Sequence, residues 1–279
     1  GQMRAQSYQT VAHGADTIQF FQLRRSVGGC EKFHGAVIAH AGTADTRVFC
    51  EVTQLGKELE KIGSRVMGSE NHAKVGIIFD WENYWALEYT SGPNRDLRYV
   101  DQIEQMYNYF YNKNIAVDMI PIDADFSKYD LVAAPVLYMV KDGVAESLEA
   151  YVQAGGTLIT TYMSGIVGQS DNVHLGGYPG PLRKMAGVWV EEIDALAPEQ
   201  RNKIRFADGT EEECRLVCDL MHLEGAEEIA QYENDFYAGM TAVAKNQFGK
   251  GTVYYVGTDL SESGLAKVLA MAADSAAIR

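Results

Sequence analysis

The 279-residue sequence predicts an α/β fold in which a doubly wound sheet domain follows one strand and two helices of a larger domain. Two observations lead to this class. From residue 73 onward, strand-length apolar segments alternate with amphipathic helical patterns, as in a mainly parallel sheet with crossover helices. Before residue 73 there is one continuous apolar strand without neighbours to pair with. We therefore expect two domains, a segment of a larger domain over 1–72 and an α/β domain over 73–279.

Composition and charge narrow the possible functions. Apolar residues make up 47% of the chain and charged residues 22%, which is typical of a globular protein. A net charge of −14 argues against nucleic acid or an anionic membrane as partner. The four cysteines are too few and too scattered for a disulfide framework, and we interpret them as reduced thiols in a cytoplasmic protein.

The first region predicts two helices and one strand. A helix is expected over 2–12, ended at Gly14, and a strand buried on both faces over 17–23, TIQFFQL. A second, amphipathic helix ending at Gly63 is indicated by apolar residues at spacings of four and three: Val48, Val52, Leu55, Leu59 and Ile62. One strand and two helices cannot bury a core, so the chain is expected to begin inside a larger domain.

The second region predicts a flavodoxin-like domain, similar in architecture to class I amidotransferases. Strands are expected at 74–80, 115–121, 129–135, 157–162 and 251–257. Helical faces lie between them at 97–110 and at 148–152 before Gly155-Gly156, and a last helix is expected at 265–272. Residues 187–247 are less regular and predict short strands. Pro181, after a glycine-rich turn, is expected to start a short helix.

Two residues of the first region are candidates for sugar binding. Glu31 and His34 directly follow the predicted buried strand, and that position is the ligand-binding face of a β/α barrel. A carboxylate and an imidazole three residues apart can hydrogen-bond neighbouring sugar hydroxyls. From spacing alone, a solvated loop with incidental charges remains the better interpretation.

Two tryptophans form the second candidate cluster. Trp81 and Trp85 lie in DWENYWALE, at the carboxyl end of the first strand of the α/β domain, where open sheets bind ligands. They would suit sugar stacking, but tryptophan is also enriched in protein interfaces. We favour the interface.

An amidotransferase-like enzyme is a weaker alternative. Such enzymes place a cysteine at the turn after the fourth strand, whereas this turn reads Tyr162-Met163-Ser164-Gly165. Ser164 has no identifiable base, and G-x-S-x-G is not matched. The histidines show no metal-ligand spacing, so neither a metal nor a cofactor is predicted.

Taken in order, the motifs resemble a known family. AHGAD, FFQLRRSVGGCEKFHGAVIAHAG and RVFCEVTQLGKEL resemble the end of the barrel in glycoside hydrolase family 42. DWENYWALE, VDMIP, SKYDLVAAPVLYMV, GGTLITTYMSGIV and LGGYPGPLRKMAGVWVEE resemble its trimerisation domain. The resemblance covers nearly the whole chain and is more specific than any single motif.

This resemblance implies part of a retaining, homotrimeric β-galactosidase of carbohydrate metabolism. Residues 1–72 would be the C-terminal segment of its β/α barrel, and residues 73–279 its trimerisation domain. The two catalytic glutamates of the family would lie upstream of residue 1, so no catalytic residue is assigned here and the isolated chain is expected to be inactive. Glu31 and His34 match the family's galactose-binding E-x-x-H residues. The alternatives are a stand-alone carbohydrate-binding or oligomerisation module, or an amidotransferase-like enzyme.

Overall fold

The computed structural model describes residues 1–278 and contains two compact units, Gly1–His72 and a second unit that begins at Ala73. In the first unit, helix α1 (Gln2–Ala12) and helix α2 (Arg47–Val66) are joined by polar contacts. The Arg4 guanidinium and the Tyr8 hydroxyl both donate to the Glu58 carboxylate, at 2.8 and 3.0 Å. Both helices match the sequence prediction, but α2 runs three residues past its predicted end at Gly63.

The strand predicted over 17–23 is wrong for this structure. These residues are irregular, and the side chains of Phe21 and Leu23 are 79% and 68% exposed. A strand buried on both faces requires a partner strand on each side, and the first unit contains no named strand among its described residues. The only strand-like pairing left is an isolated bridge between Arg24 and Ile38.

The second unit contains one mixed sheet with helices packed against it. The strands described are, in chain order, β1 (Val75–Ile78), β2 (Val117–Ile120), β3 (Leu131–Ala134), β4 (Thr157–Thr161), β5 (Val188–Ala195), β6 (Asn202–Phe206), β7 (Glu211–Leu223), β8 (Glu227–Tyr232), β9 (Thr241–Phe248), β10 (Gly251–Val256) and β11 (Thr258–Leu260). The helices are α3 (Trp81–Tyr89), α4 (Tyr99–Asn112), α5 (Val144–Ala154), α6 (Arg183–Ala186) and α7 (Glu262–Ser275).

The sheet is parallel only in part. Strands run in the order β11-β7-β6-β8-β9-β10-β4-β3-β1-β2, with β5 paired to β7. The five strands from β10 to β2 are parallel, whereas the pairings among β5, β6, β7, β8, β9 and β11 are antiparallel. The expectation of a mainly parallel sheet therefore holds for one half. The strands expected at 187–247 are present, but β7 has 13 residues and is not short.

Both faces of the parallel half are buried, because its side chains alternate between two apolar clusters. Val75 and Ile77 face one cluster with α4 and α7, while Ile78 faces the other with α5 and α6. Neighbouring strands follow the same alternation, with Ile159 on the first face and Leu158 on the second. Because these strands are parallel, the carboxyl ends of β1, β3, β4 and β10 lie along one edge of the sheet.

Candidate functional site

The carboxyl edge of the parallel strands begins with Asp80, directly after β1. Its carboxylate accepts a hydrogen bond from the Asn83 backbone N–H at 3.1 Å, which is the side-chain cap that starts α3. The Lys141 ammonium lies 2.8 Å from the same carboxylate and also contacts Glu82. Lys141 therefore forms ion pairs with both carboxylates at the start of this helix and offsets one of their two negative charges.

Asn83 fastens α3 to the segment that follows β3. Its side-chain amide donates to the Val136 carbonyl at 3.0 Å, and its carbonyl oxygen accepts from the Met139 N–H at 2.8 Å. The side chain is fully buried, so both bonds replace solvent contacts that would otherwise be lost. The helix that carries the tryptophans is thus rigidly held at the sheet edge. The sequence pattern predicted no helix over Trp81–Tyr89.

The turn after β4 has the backbone of a nucleophile elbow but no available nucleophile. Met163 adopts a positive φ of 57°. Ser164 is fully buried, and its hydroxyl accepts from the Leu137 N–H at 3.0 Å and donates to the Thr161 carbonyl at 2.6 Å. A hydroxyl occupied by structural hydrogen bonds cannot attack a substrate carbonyl. This geometry argues against an amidotransferase-like reaction here.

Trp81 and Trp85 form an exposed aromatic stripe with Tyr89, which the sequence analysis missed. The three side chains are spaced four residues apart on α3 and are 58%, 59% and 89% exposed. The two indole rings are 6.0 Å apart, and Phe79 meets Trp81 edge-on at 4.9 Å. Three large aromatic side chains on one exposed helix face are typical of a contact surface. The i, i+4, i+8 spacing was visible in the sequence once a helix was assumed.

In the first unit, Glu31 and His34 share one exposed turn. The His34 N–H donates to the Glu31 carbonyl at 3.0 Å, which places both side chains at the tip of a loop. Main-chain hydrogen bonds join the two ends of that loop. The Val37 N–H donates to the Gln22 carbonyl at 3.0 Å, and the Ile38 N–H donates to the Leu23 carbonyl at 2.7 Å. The predicted pair is therefore brought together on a closed loop, with both side chains open to a ligand.

A buried polar network at the end of β10 was not predicted. The carboxylate of Asp219 is fully enclosed and accepts one hydrogen bond, from the Tyr255 hydroxyl at 2.7 Å. Its other oxygen and the nearby Tyr162 hydroxyl have no partner. Burial raises the pKa of Asp219 to about 7, against the opposing effect of the Tyr255 hydrogen bond. Nothing in the sequence distinguishes Asp219 from an exposed aspartate, because only tertiary packing encloses it.

Within residues 1–278, no three histidine, cysteine, aspartate or glutamate side chains are grouped so that they could bind a metal ion. Over the same range, no helix combines the length and apolar character needed to cross a bilayer.

Comparison with known proteins identifies the family. Residues 73–279 match the model of the β-galactosidase trimerisation domain of family 42, and residues 1–62 match the β-galactosidase model of the same family. The chain belongs to glycoside hydrolase family 42. The β-galactosidase LacZ of Lactobacillus acidophilus is 53% identical over 268 residues, which cover 96% of this chain and 40% of that protein.

Solved structures of family 42 show the same fold. The crystal structure of the β-galactosidase from Bacillus circulans sp. alkalophilus superposes with a TM-score of 0.96 at 48% identity, covering 99% of this chain and 42% of that one. The cold-adapted β-galactosidase from Rahnella sp. R3 gives a TM-score of 0.92 at 44% identity, covering 99% of this chain and 42% of its own. The chain thus spans about two fifths of the length of these family 42 relatives.

Proposed function

We propose that this chain is part of a retaining β-galactosidase, in which it supplies the oligomerisation domain and one wall of the galactose site. The supporting observation is the order of the two family matches, with residues 1–62 on the β-galactosidase model and 73–279 on the trimerisation domain. Relatives about 50% identical along this stretch are themselves named β-galactosidases. In this proposal, residues 1–72 are the end of the catalytic barrel.

The galactose contacts are assigned to Glu31 and His34. Both side chains are exposed at the tip of the closed loop, and no hydrogen bond within residues 1–278 engages the Glu31 carboxylate or the His34 imidazole. A carboxylate accepts and an imidazole donates or accepts, so together they can bind two adjacent hydroxyls of a pyranose. Charged hydrogen bonds to a substrate are worth about 1.5–3 kcal/mol each.

A chimera tests this assignment. The matching stretch of the L. acidophilus enzyme is replaced by this chain, and hydrolysis of nitrophenyl β-galactoside is compared with that of the chain alone. Glu31→Ala and His34→Ala are each expected to lower kcat/KM by about 10- to 100-fold. Lys32→Ala, in the same exposed turn, is the matched control. If the chimera is active and Glu31→Ala lowers kcat/KM no more than Lys32→Ala does, the assignment of Glu31 is wrong. If the chimera folds but is inactive, the proposed function is wrong.

We propose that the chain forms a homotrimer. We assign its contact surface to the aromatic stripe Trp81, Trp85 and Tyr89. Trimers use heterologous interfaces that close into a ring, and buried aromatic side chains dominate the energy of such contacts. Light scattering should give a mass near 92 kDa for three chains of 30.8 kDa each. Trp81→Ala combined with Trp85→Ala should shift the mass to that of one chain. Phe236→Ala removes another exposed aromatic ring of the same unit and is the control.

Galactose titration separates this interface from a carbohydrate-binding module. If the tryptophans stack on sugar, Trp81→Ala weakens galactose binding and leaves the mass unchanged. If they are interfacial, the mass falls and the affinity for galactose stays the same. The paired carboxylates Asp80 and Glu82 beside the stripe favour the second outcome, because Lys141 already occupies the polar groups that a sugar would need.

Two finer assignments belong to the same proposal. The parallel half of the sheet, β2-β1-β3-β4-β10, follows the flavodoxin-like order when β10 is counted as the fifth parallel strand. Its two apolar clusters, one with α4 and α7 and one with α5 and α6, support the doubly wound description. A cytoplasmic location is supported by the free thiols of Cys30 and Cys50, which are exposed. Thiol labelling of the protein in intact cells tests it.

A further inference from the structure

Strand β7 contains an irregularity between two buried cysteines. On the neighbouring strand β11, Leu260 pairs with Cys214 and Thr258 pairs with Cys218. Two residue steps on β11 therefore correspond to four on β7, so β7 carries two extra residues between the cysteines. Leu216, midway between them, has a positive φ of 64°. This bulge also marks the point where β7 changes partner from β6 to β5.

The bulge brings the two cysteines onto the same face of the sheet. Thr258 and Leu260 are two positions apart on β11 and point to one side, so their partners Cys218 and Cys214 do the same. Two steps at about 3.3 Å rise place the Cα atoms of the cysteines about 6.6 Å apart, near the upper end of the disulfide range of about 4.4–6.8 Å. In an unbulged strand, residues four apart would lie about twice as far from each other.

The two cysteines lie together inside the core. Cys214 and Cys218 are 1% and 0% exposed and belong to the same apolar cluster. The Cys218 sulfur also lies 3.7 Å from the Thr258 hydroxyl. The neighbouring Cys214 side chain holds the pKa of the Cys218 thiol below its usual value, whereas Cys218 and burial raise the pKa of Cys214. Cys218 is therefore the better nucleophile of the pair.

We propose that Cys214 and Cys218 are a modification site, a dithiol pair that hydrogen peroxide converts into a reversible intrachain disulfide. The Cys218 thiolate attacks one peroxide oxygen, which breaks the O–O bond and yields a sulfenic acid and hydroxide. The Cys214 thiol then attacks the Cys218 sulfur and releases water. In total, two thiols and one peroxide give one disulfide and two waters. The peroxide reaches the pair when β11, a three-residue strand at the end of the sheet, opens locally.

The disulfide would close the bulge at the point where β7 changes partner. A short covalent loop restricts the unfolded chain and should raise the Tm of the second unit by about 4–8 °C. This inference does not depend on the galactoside assignment, because it concerns only the strands of the second unit.

Peroxide treatment followed by mass spectrometry tests the proposal. The chain is exposed to hydrogen peroxide, quenched, denatured and alkylated, and its cysteine peptides are mapped. The exposed thiols of Cys30 and Cys50 report the progress of oxidation within the same sample. We expect a peptide 2 Da lighter than the dithiol form, with neither Cys214 nor Cys218 alkylated, and full recovery of both thiols with dithiothreitol.

Variants distinguish the disulfide from simple oxidation. Cys214→Ala removes the resolving thiol, so Cys218 should accumulate sulfenic and sulfinic acid and the rise in Tm should vanish. Cys30→Ser with Cys50→Ser should leave the 2 Da loss intact. The proposal is overturned if both buried thiols still alkylate fully when Cys30 and Cys50 are consumed. Overoxidation of Cys218 in the unaltered chain, with Cys214 still free, would overturn it as well.

Discussion

Replacing Asp219 by asparagine should change how the stability of the second unit depends on pH. The carboxyl is enclosed, accepts one hydrogen bond from Tyr255, and has one oxygen without a partner. Burial raises its pKa from 3.8 to about 7. The folded state therefore binds a proton that the unfolded state has released throughout the interval between these two values. The stabilisation by the protonated form is fully present below pH 3.8 and is lost as the pH rises through 7.

The expected magnitude follows from this shift. Between pH 5 and pH 7 the free energy of unfolding should fall by about 1.4 kcal/mol per pH unit because of Asp219, which gives a loss of about 2–3 kcal/mol. An asparagine side chain cannot ionise, so Asp219→Asn should lack this contribution and should gain stability relative to the unaltered protein above pH 7. Above about pH 8 the difference should level off, since the carboxyl is then ionised in both states.

Urea denaturation followed by tryptophan fluorescence measures this difference. Trp81, Trp85 and Trp189 all lie in the second unit, so the signal reports on that unit alone. The free energies of unfolding of both proteins are compared at pH 5, 6, 7 and 8. Glu104→Gln, an exposed carboxylate on α4, is the matched control and should leave the pH profile unchanged. Parallel profiles for Asp219→Asn and the unaltered protein would show that Asp219 is already ionised in the fold.

Three further substitutions probe the carboxyl edge of the sheet, each by urea denaturation at pH 7. Gly165→Ala should destabilise the second unit by more than about 3 kcal/mol, because its φ is +65° and the new Cβ would overlap the Pro179 carbonyl; a cost below about 1 kcal/mol would mean that the turn adjusts freely. Arg215→Ala should cost about 3 kcal/mol, since it leaves the buried Asp259 carboxylate without its partner at 2.8 Å, and the added Asp259→Asn should recover part of that loss. Asn83→Ala should lower the free energy of unfolding by about 2–4 kcal/mol, because it leaves the Val136 carbonyl and the Met139 N–H unpaired. Asn83→Asp should restore only the bond from the Met139 N–H, since a carboxylate cannot donate to the Val136 carbonyl.

Local sequence pattern was sufficient for the elements whose burial follows a simple period. The apolar spacing predicted α2, and short apolar runs predicted β1, β3, β4 and β10, whose residues are all buried. The Glu31 and His34 pair was singled out by the resemblance to family 42 and by its place after the strand predicted at 17–23, which the structure does not contain; its role in sugar binding stays a prediction. The position of Trp81 and Trp85 was predicted, although the helix that aligns them with Tyr89 was not.

Other features depend on contacts distant in the sequence. Residues 17–23 have the composition of a buried strand, yet they form none, because a strand also needs partners that composition cannot supply. The antiparallel half of the sheet depends on β7, which pairs with β6 before its bulge and with β5 after it. The sequence pattern predicts neither the bulge nor the position of Cys214 and Cys218 on one face of the sheet.

The sequence by itself determined the family, the period of the helices and strands, and the residues that carry the candidate chemistry, because each is written in short-range order along the chain. Only the tertiary structure decided that the Ser164 hydroxyl is engaged in structural hydrogen bonds and that the Asp219 carboxyl is buried with no cation as its partner. The physical reason is that desolvation and hydrogen-bond partnership depend on which distant segments surround a side chain. A residue's own neighbours in the sequence do not set its pKa or its availability.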